Sequence, residues 1–193
     1  MSPKPIHPNP IPGGRGAARP GAGPAVGGFT LIEVLIVVVI LGILAAIVVP
    51  ELSSASRQAR EGVLKDDLRF MREQITRYMI QHDDDPPGYP PGGDTTLVPS
   101  EANFIDQMTR YTDQYSNTAA AYGSNTFKYG PYLTKIPENP LSSKNAILVV
   151  ANNAPIPAPD LAQPYGWIYK PQTLQFLPNV PGTDLDGRAY MSY

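Results

Sequence analysis

The chain has 193 residues, among them 17 acidic, 15 basic and 23 proline residues, and it has no cysteine. The absence of cysteine excludes disulfides, thiolate metal sites and cysteine nucleophiles. The two histidines, His7 and His82, are far apart in the sequence, so we do not expect a zinc site or a catalytic triad built on histidine. These counts give no indication of an enzyme.

Residues 1–28 differ in composition from the rest of the chain. They hold seven prolines, seven glycines and three basic residues but no acidic residue, and such a composition cannot bury a hydrophobic core. We expect this segment to be a disordered leader that is removed. Its removal leaves 12 basic against 17 acidic residues, a formal charge of −5. An acidic body argues against nucleic acid as the main partner.

Residues 29–49 are almost uniformly apolar, with Thr30 and Glu33 as the only polar side chains. A helix of this length, at about 1.5 Å per residue, spans roughly 30 Å, the thickness of a hydrocarbon core. Basic residues precede the stretch and the acidic body follows it, which favours a cytoplasmic N-terminus. A secretory signal cleaved near Ala46 is a weaker alternative, because the apolar run continues past that point. We therefore predict a transmembrane helix over residues 29–50.

The pattern becomes amphipathic over residues 51–82. Apolar side chains recur there at steps of three or four, while basic residues occupy the other faces. The predicted stripe comprises Leu52, Ala55, Ala59, Val63, Leu64, Leu68, Met71, Ile75 and either Tyr78 or Met79. We therefore predict one helix from about Thr30 to Gln81, kinked or loosened at Pro50, where a backbone donor is missing.

Charged residues in the amphipathic segment are spaced for ion pairs along the helix. Glu61 precedes Lys65 by four residues, and Glu73 precedes Arg77 by the same interval. Opposite charges at this spacing stabilise a helix by a few tenths of a kcal/mol, about 0.2 to 0.5 per pair. We expect both pairs to form.

The start of the apolar stretch carries a more specific pattern. The sequence GFTLIEV over residues 28–34, followed by an apolar stretch, Pro50 and a long amphipathic helix, resembles the N-terminus of type IV pilin-like proteins, including the pseudopilins of type II secretion. The resemblance implies an α+β pilin-like fold. In that fold a long N-terminal helix, membrane-spanning in its first half and amphipathic in its second, packs on a small antiparallel sheet.

The resemblance also implies a processing event at the N-terminus. A prepilin peptidase would cleave between Gly28 and Phe29, and the new amine of Phe29 would be N-methylated. Glu33 would then lie four residues from that amine, one helical turn away on the same face. Because a charge at membrane depth is costly and usually marks function, we assign Phe29, Glu33 and Pro50 to assembly. A solvated Glu33 just outside the bilayer is the alternative.

Residues 83–193 are interpreted as a proline-rich globular domain with a small antiparallel sheet. The predicted elements are a helix over 101–114 capped by Ser100, a strand over 145–151, and a hairpin with strands over 166–169 and 173–177. Trp167 alternates with Ile168 as a half-buried strand requires, so we interpret it as a core residue rather than part of a ligand-stacking surface.

Two stretches of this domain resemble the G-type major pseudopilin of type II secretion. Gly88-Tyr89-Pro90 resembles its helix exit, and residues 130–137 with Asn139-Pro140 resemble the loop that follows. Ordinary surface turns are the alternative, since proline and glycine turns are common. Residues 91–127 look longer than the equivalent segment of that family.

The sequence Gly-Thr-Asp-Leu-Asp-Gly over residues 182–187 resembles a fragment of a calcium loop, with carboxylates two residues apart. G-type pseudopilins carry a calcium-binding loop near the C-terminus, so the resemblance implies Asp184 and Asp186 as calcium ligands. The spacing departs from that family's acidic loop and no later Glu follows, which makes an ordinary turn the alternative. No other cofactor is expected.

The resemblance implies a structural subunit rather than an enzyme. We expect an inner-membrane prepilin that crosses the membrane once, with a cytoplasmic N-terminus and a periplasmic C-terminal domain, and that polymerises into a helical fibre of a type II secretion pseudopilus. The expected partners are prepilin peptidase/N-methyltransferase, other copies of the chain, minor pseudopilins, the inner-membrane assembly platform with its ATPase, and membrane lipid. Nucleic acid is not an expected partner.

Two alternative functions stay open. A type IV pilus subunit, acting in adhesion, motility or DNA uptake from the cell surface, would share the N-terminal segment; the lack of the cysteine pair common in pilins favours the pseudopilus. A membrane-tethered binding module or enzyme predicts convergent titratable groups in a cleft. It also predicts that Glu33 is dispensable.

Overall fold

The computed structural model describes Met1, residues 28–123 and residues 125–193. Residues 2–27, which make up nearly all of the predicted leader, lie outside the described residues. Contacts divide the chain into two compact units, Met1–Ala46 and Ile47–Tyr193. Helix α1, Leu31–Gln81, has 51 residues and contributes to both units, which confirms the predicted single helix.

The second part of α1 buries one stripe of side chains. Leu64, Leu68 and Met71 are at most 1% exposed, and the stripe continues through Ile75 and Tyr78, as predicted. The earlier members of the predicted stripe are wrong, since residues 52–60 and Val63 are all exposed. The buried stripe begins instead at Glu61, because the hydrophobic core of the second unit includes side chains of α1 only from Leu64 onward.

Helix α2, Glu101–Thr109, begins where the sequence predicts and ends five residues early. The Ser100 hydroxyl accepts a hydrogen bond from the Asn103 amide at 3.2 Å, which confirms the N-cap. The predicted extension to residue 114 is wrong, because Arg110 is already extended. The next residues form strand β1, Tyr111–Thr112, which pairs antiparallel with β2, Thr118–Ala119.

The main sheet has three strands in the order β3, β4, β5. Strands β4, Trp167–Lys170, and β5, Gln175–Pro178, form the predicted antiparallel hairpin. Strand β3, Ile147–Val149, pairs parallel with β4, so the prediction of a wholly antiparallel sheet is wrong. The physical reason is the long connection through residues 150–166, which is sufficient to return the chain in the same direction.

The core of the second unit lies where the sheet and α2 meet the buried stripe of α1. Trp167 and Phe176 from the sheet, and Phe104 from α2, are fully buried. The Trp167 indole N–H donates a hydrogen bond to the Pro137 carbonyl at 2.9 Å, so its polar atom is satisfied inside the core. Its interpretation as a core residue and the α+β fold class are confirmed.

Candidate functional site

The predicted cleavage point lies immediately before α1. Gly28, Phe29 and Thr30 precede the helix and are exposed, with Phe29 retaining 83% of its accessible surface. A Cβ added to Gly28 would meet no atom within 4 Å. The peptide bond between Gly28 and Phe29 therefore lies in an open, non-helical stretch of backbone, the conformation in which proteolytic enzymes reach their substrates.

Thr30 caps the N-terminus of α1. Its hydroxyl oxygen accepts a hydrogen bond from the Glu33 amide at 3.2 Å, and its carbonyl accepts one from Val34 at 3.2 Å. In the sequence Thr30 stands out only as a polar residue in an apolar run. The spacing of a threonine three residues before a glutamate is the signature of a capping box and would have revealed this role. Glu33 also places a negative charge at the positive end of the helix dipole.

The apolar part of α1 is exposed on every face. All residues from 28 to 60 are exposed, and the large apolar side chains of this stretch range from 49% at Val37 to 85% at Leu31. The most apolar window has a mean hydropathy of 3.3, so by length and composition α1 can cross a membrane. A contiguous apolar surface of this size is typical of helices that contact lipid or other helices.

Glu33 is the single charged side chain between Phe29 and Val49. None of the ion pairs among the described residues includes it. Placed in lipid, the carboxylate would therefore need a partner that the described part of the chain does not supply. An amine freed at Phe29, on the same chain or on a neighbour, has the required charge.

Pro50 lies inside α1, which continues on both sides of it. Proline has no N–H group and cannot donate to the carbonyl of Ala46, four residues earlier. The helix therefore lacks one backbone hydrogen bond near the end of its apolar part. The assembly role of Pro50 stays a prediction.

Asp184 and Asp186, the predicted calcium ligands, lie in a turn near the C-terminus but differ in environment. Asp184 is 5% exposed, whereas Asp186 is exposed. Oδ1 of Asp184 accepts hydrogen bonds from the backbone amides of Asp186 at 3.0 Å and Arg188 at 2.7 Å. The Asp184 carboxylate therefore closes its own turn.

The second oxygen of Asp184 faces two further donors. The Tyr193 hydroxyl donates to Oδ2 at 2.6 Å, and the Lys65 ammonium lies 3.5 Å away. The Tyr193 hydrogen bond, the backbone donors and the Lys65 charge lower the pKa of Asp184. In the described part of the chain no group of three histidine or carboxylate side chains converges on a point that could hold a metal. This donor set does not fit calcium.

His82 follows the end of α1 and is fully buried. Its ring stacks on Tyr78 at 3.8 Å between centroids. Nδ1 donates to the Tyr78 carbonyl at 2.8 Å, since a carbonyl only accepts, and Nε2 therefore accepts from the Thr112 hydroxyl at 3.0 Å. Burial lowers the pKa of His82. Both nitrogens are engaged in holding the end of α1 against the β1 strand.

Comparison with protein families gives a match at the N-terminus. Residues 24–49 match the family described as the prokaryotic N-terminal methylation motif. The matched stretch contains the predicted cleavage point and Glu33. No solved structure matches the chain.

Several curated relatives share the name type II secretion system core protein G. The chain is 47% identical over 55 residues to that of Pseudomonas aeruginosa, covering 28% of this chain and 39% of the relative. It is 26% identical over 113 residues to that of Aeromonas hydrophila, covering 58% and 66%, and 25% identical over 121 residues to that of Klebsiella pneumoniae, covering 63% and 73%. The match thus spans less than two thirds of the first two relatives.

The match to the methylation motif can be placed on the structure. The motif covers the exposed, apolar start of α1, and the 113-residue match is long enough to include residues beyond that helix. Together the N-terminal methylation motif, the long α1 and the similarity to core protein G confirm the resemblance of this chain to type IV pilin-like proteins, and among these to the G-type pseudopilins.

Proposed function

We propose that the chain is a structural subunit of a type II secretion pseudopilus. It is made as an inner-membrane prepilin, cleaved between Gly28 and Phe29, N-methylated at Phe29, and polymerised through the apolar part of α1. The observation that carries this proposal is the coincidence, in one segment, of an open Gly28–Phe29 bond, a lone Glu33 and an apolar helix exposed on all faces. The relatives named core protein G support the assignment to type II secretion.

An apolar helix can serve both membrane anchoring and polymerisation. In the membrane its exposed side chains contact lipid. In a fibre the same side chains pack against equivalent helices from neighbouring copies, so no second apolar surface is required. The chain therefore acts as a structural subunit and not as an enzyme.

Glu33 sets the stagger of neighbouring helices in this proposal. Dispersion contacts between apolar helices are weak individually and tolerate many axial offsets. A buried carboxylate is costly unless it meets an opposite charge. Only one offset brings the Phe29 amine of one copy to Glu33 of the next, so this pair selects that offset from the many that packing allows.

The topology follows from charge and length. The positive-inside rule puts the basic N-terminus in the cytoplasm, and a single span puts the second unit in the periplasm. Prepilin peptidase/N-methyltransferase is the processing partner. Minor pseudopilins, the inner-membrane assembly platform and its ATPase are the assembly partners, and membrane lipid surrounds the helix before assembly.

The processing step is tested by co-expressing the full chain with a prepilin peptidase and measuring the mass of the product. We expect loss of residues 1–28 and a gain of one methyl group on Phe29. A matched Gly28→Val variant adds a branched side chain beside the bond in a position where no atom is crowded, so its fold is unchanged while cleavage is lost.

A product that still begins at Met1, or one cut near Ala46, would contradict the proposal. Deletion of the gene for the chain separates the pseudopilus from the pilus alternative. Loss of protein secretion with normal surface fibres supports the pseudopilus. Loss of surface fibres with normal secretion favours a type IV pilus subunit instead.

A further inference from the structure

The C-terminal segment, residues 182–193, contacts basic side chains of α1, and two of them, Arg57 and Lys65, contact its turn. Arg57 donates from Nη2 to the backbone carbonyl of Thr183 at 2.7 Å. Lys65 places its ammonium 3.5 Å from Oδ2 of Asp184. The two cations lie eight residues apart on α1, which is close to two helical turns and hence one face. Lys65 faces one oxygen of the segment, and Arg57 also donates to a second, the Tyr190 hydroxyl at 3.2 Å.

A buried carboxylate lies between these two cations. Glu61 is 4% exposed and its Oε1 accepts hydrogen bonds from Arg57 at 3.1 Å and from the Tyr190 hydroxyl at 2.7 Å. Its other oxygen faces the Leu185 amide at 3.4 Å. Glu61 thus receives donors from both the helix and the C-terminal segment.

Tyr193 completes the contact on the Lys65 side. Its hydroxyl donates to Asp184, and its ring lies beneath the Lys65 ammonium, 4.7 Å from the ring centroid. Arg72 donates to the Tyr193 carbonyl at 2.7 Å. Lys65 therefore touches both an anion and the face of an aromatic ring, and both contacts favour a cation at that position.

Calcium binds carboxylate and backbone carbonyl oxygens, and the turn at Thr183 and Asp184 offers one of each to the helix. Both are already matched by positive charge, the Thr183 carbonyl by Arg57 and the Asp184 carboxylate by Lys65. A divalent cation placed there would have to displace both side chains and would be repelled by them. Of the two predicted ligands, Asp186 is exposed and lies outside this contact.

We propose that Arg57 and Lys65 hold the C-terminal segment on α1 in the role that the family resemblance assigns to calcium, so that this chain folds independently of calcium. The inference concerns the fold of the second unit alone and does not rest on the proposed pseudopilus function. Because the Asp184 side chain is only 2% exposed, removal of its cation leaves a buried carboxylate without a counter-charge.

The test uses the full chain in detergent micelles. Thermal unfolding is recorded in calcium chloride and in EGTA, and calcium binding is measured by titration calorimetry. We expect the same Tm in both solutions and no saturable heat of binding. A higher Tm in calcium than in EGTA, or a saturable calcium site, would overturn the proposal, since a ligand that binds only the folded state must raise Tm.

A second arm tests the cation itself. Lys65→Met keeps the length of the side chain and removes its charge, and we expect its Tm to fall by about 2 to 4 °C, with a smaller fall for Lys65→Arg. The matched control is Lys128→Met, which also removes an ammonium over a tyrosine ring, 5.1 Å from the Tyr129 centroid, but faces no carboxylate among the described ion pairs.

The Tm of Lys65→Met and its dependence on salt test the role of the ammonium group. Lys65 is half-exposed, so Lys65→Met still folds, and a Tm equal to that of the unaltered chain would show that the ammonium does not hold the segment. High sodium chloride should narrow the gap between Lys65→Met and the unaltered chain, because salt screens the pair. A gap unaffected by salt would show that charge attraction does not hold the segment and would overturn the proposal.

Discussion

The two parts of α1 are alike in backbone and opposite in burial. From Leu31 to residue 60 every side chain is exposed, although nearly all in the first 19 positions are apolar. From Glu61 to Tyr78 one side chain in every three or four is buried, and several of the residues between them are charged. The more hydrophobic part is thus the one that the described residues of the chain leave exposed.

The difference shows that apolar content does not by itself indicate what a helix packs against. A stripe at helical spacing needs a single surface, and the second unit provides it. A helix that is apolar on all faces needs an apolar surrounding, which lipid or equivalent helices provide. The first part of α1 is therefore built for an environment outside the folded chain.

The largest expected effect comes from removing the charge in the exposed part. We expect Glu33→Ala to abolish detectable fibres, because the helices lose the ion pair that selects their axial offset, while membrane insertion and cleavage after Gly28 continue. Electron microscopy and sedimentation measure the fibres. The matched control is Glu51→Ala, which removes an exposed glutamate farther along α1. Normal fibres from Glu33→Ala would show that Glu33 does not select the axial offset of neighbouring helices.

The next effect comes from the buried stripe. We expect Leu68→Ala to lower the free energy of unfolding by about 2 to 5 kcal/mol, because Leu68 is 1% exposed and its loss leaves a cavity. Urea denaturation of the full chain in micelles measures the change in the free energy of unfolding. Leu35→Ala truncates a leucine that is 50% exposed and should change the unfolding of the second unit by less than about 0.5 kcal/mol. If Leu68→Ala and Leu35→Ala lowered the free energy of unfolding equally, the difference in packing between the two parts of α1 would be contradicted.

A pH effect is expected at the end of the buried stripe. The pKa of His82 in the folded chain lies below its ordinary value of 6.5, chiefly because of burial. The unfolded chain then binds the proton more readily, so the stabilisation is complete above about pH 6.5 and declines as the pH falls below that value. Unfolding free energies at pH 7.5, 6.5 and 5.5 measure the slope. His82→Gln should remove most of it, and an unchanged slope would assign the effect to another group.

The smallest effect concerns a glycine on the outer face of the packed part. Gly62 is exposed within α1, and a Cβ there would meet no atom within 4 Å. We expect Gly62→Ala to stabilise the chain by about 0.5 to 1 kcal/mol, since alanine loses less entropy than glycine on entering a helix. Differential scanning calorimetry measures the shift. A destabilised Gly62→Ala variant would mean that the face of α1 at Gly62 contacts other residues of the folded chain.

Local patterns predicted the elements whose cause is local. The helix from Thr30 to Gln81, the Ser100 cap and the β4–β5 hairpin follow from periodicity, from capping chemistry and from turn residues close in sequence. The N-terminal methylation motif was also predicted from consecutive residues, although the Thr30 cap was missed. These features depend on neighbours within a few residues.

The predicted ion pairs of α1 are wrong where another residue is available as the partner. The predicted pair of Glu61 with Lys65 is wrong, because Glu61 bonds Arg57 and Tyr190 while Lys65 reaches Asp184. Likewise Glu73 pairs with Arg69 rather than with Arg77. Spacing along a helix allows a pair on either the preceding or the following turn, and residues more than a hundred positions away decided the first case.

The sequence alone determined that this chain has an apolar, singly charged helical segment preceded by a Gly28-Phe29 motif, because length, hydropathy and motif are properties of consecutive residues. Only the tertiary structure decided that the buried stripe begins at Glu61 and that β3 runs parallel to β4. It also decided that Asp184 faces Lys65 and Tyr193. Those outcomes depend on which residues, distant in sequence, come into contact when the chain folds. Tertiary packing therefore decides the ion pairs and the buried side chains.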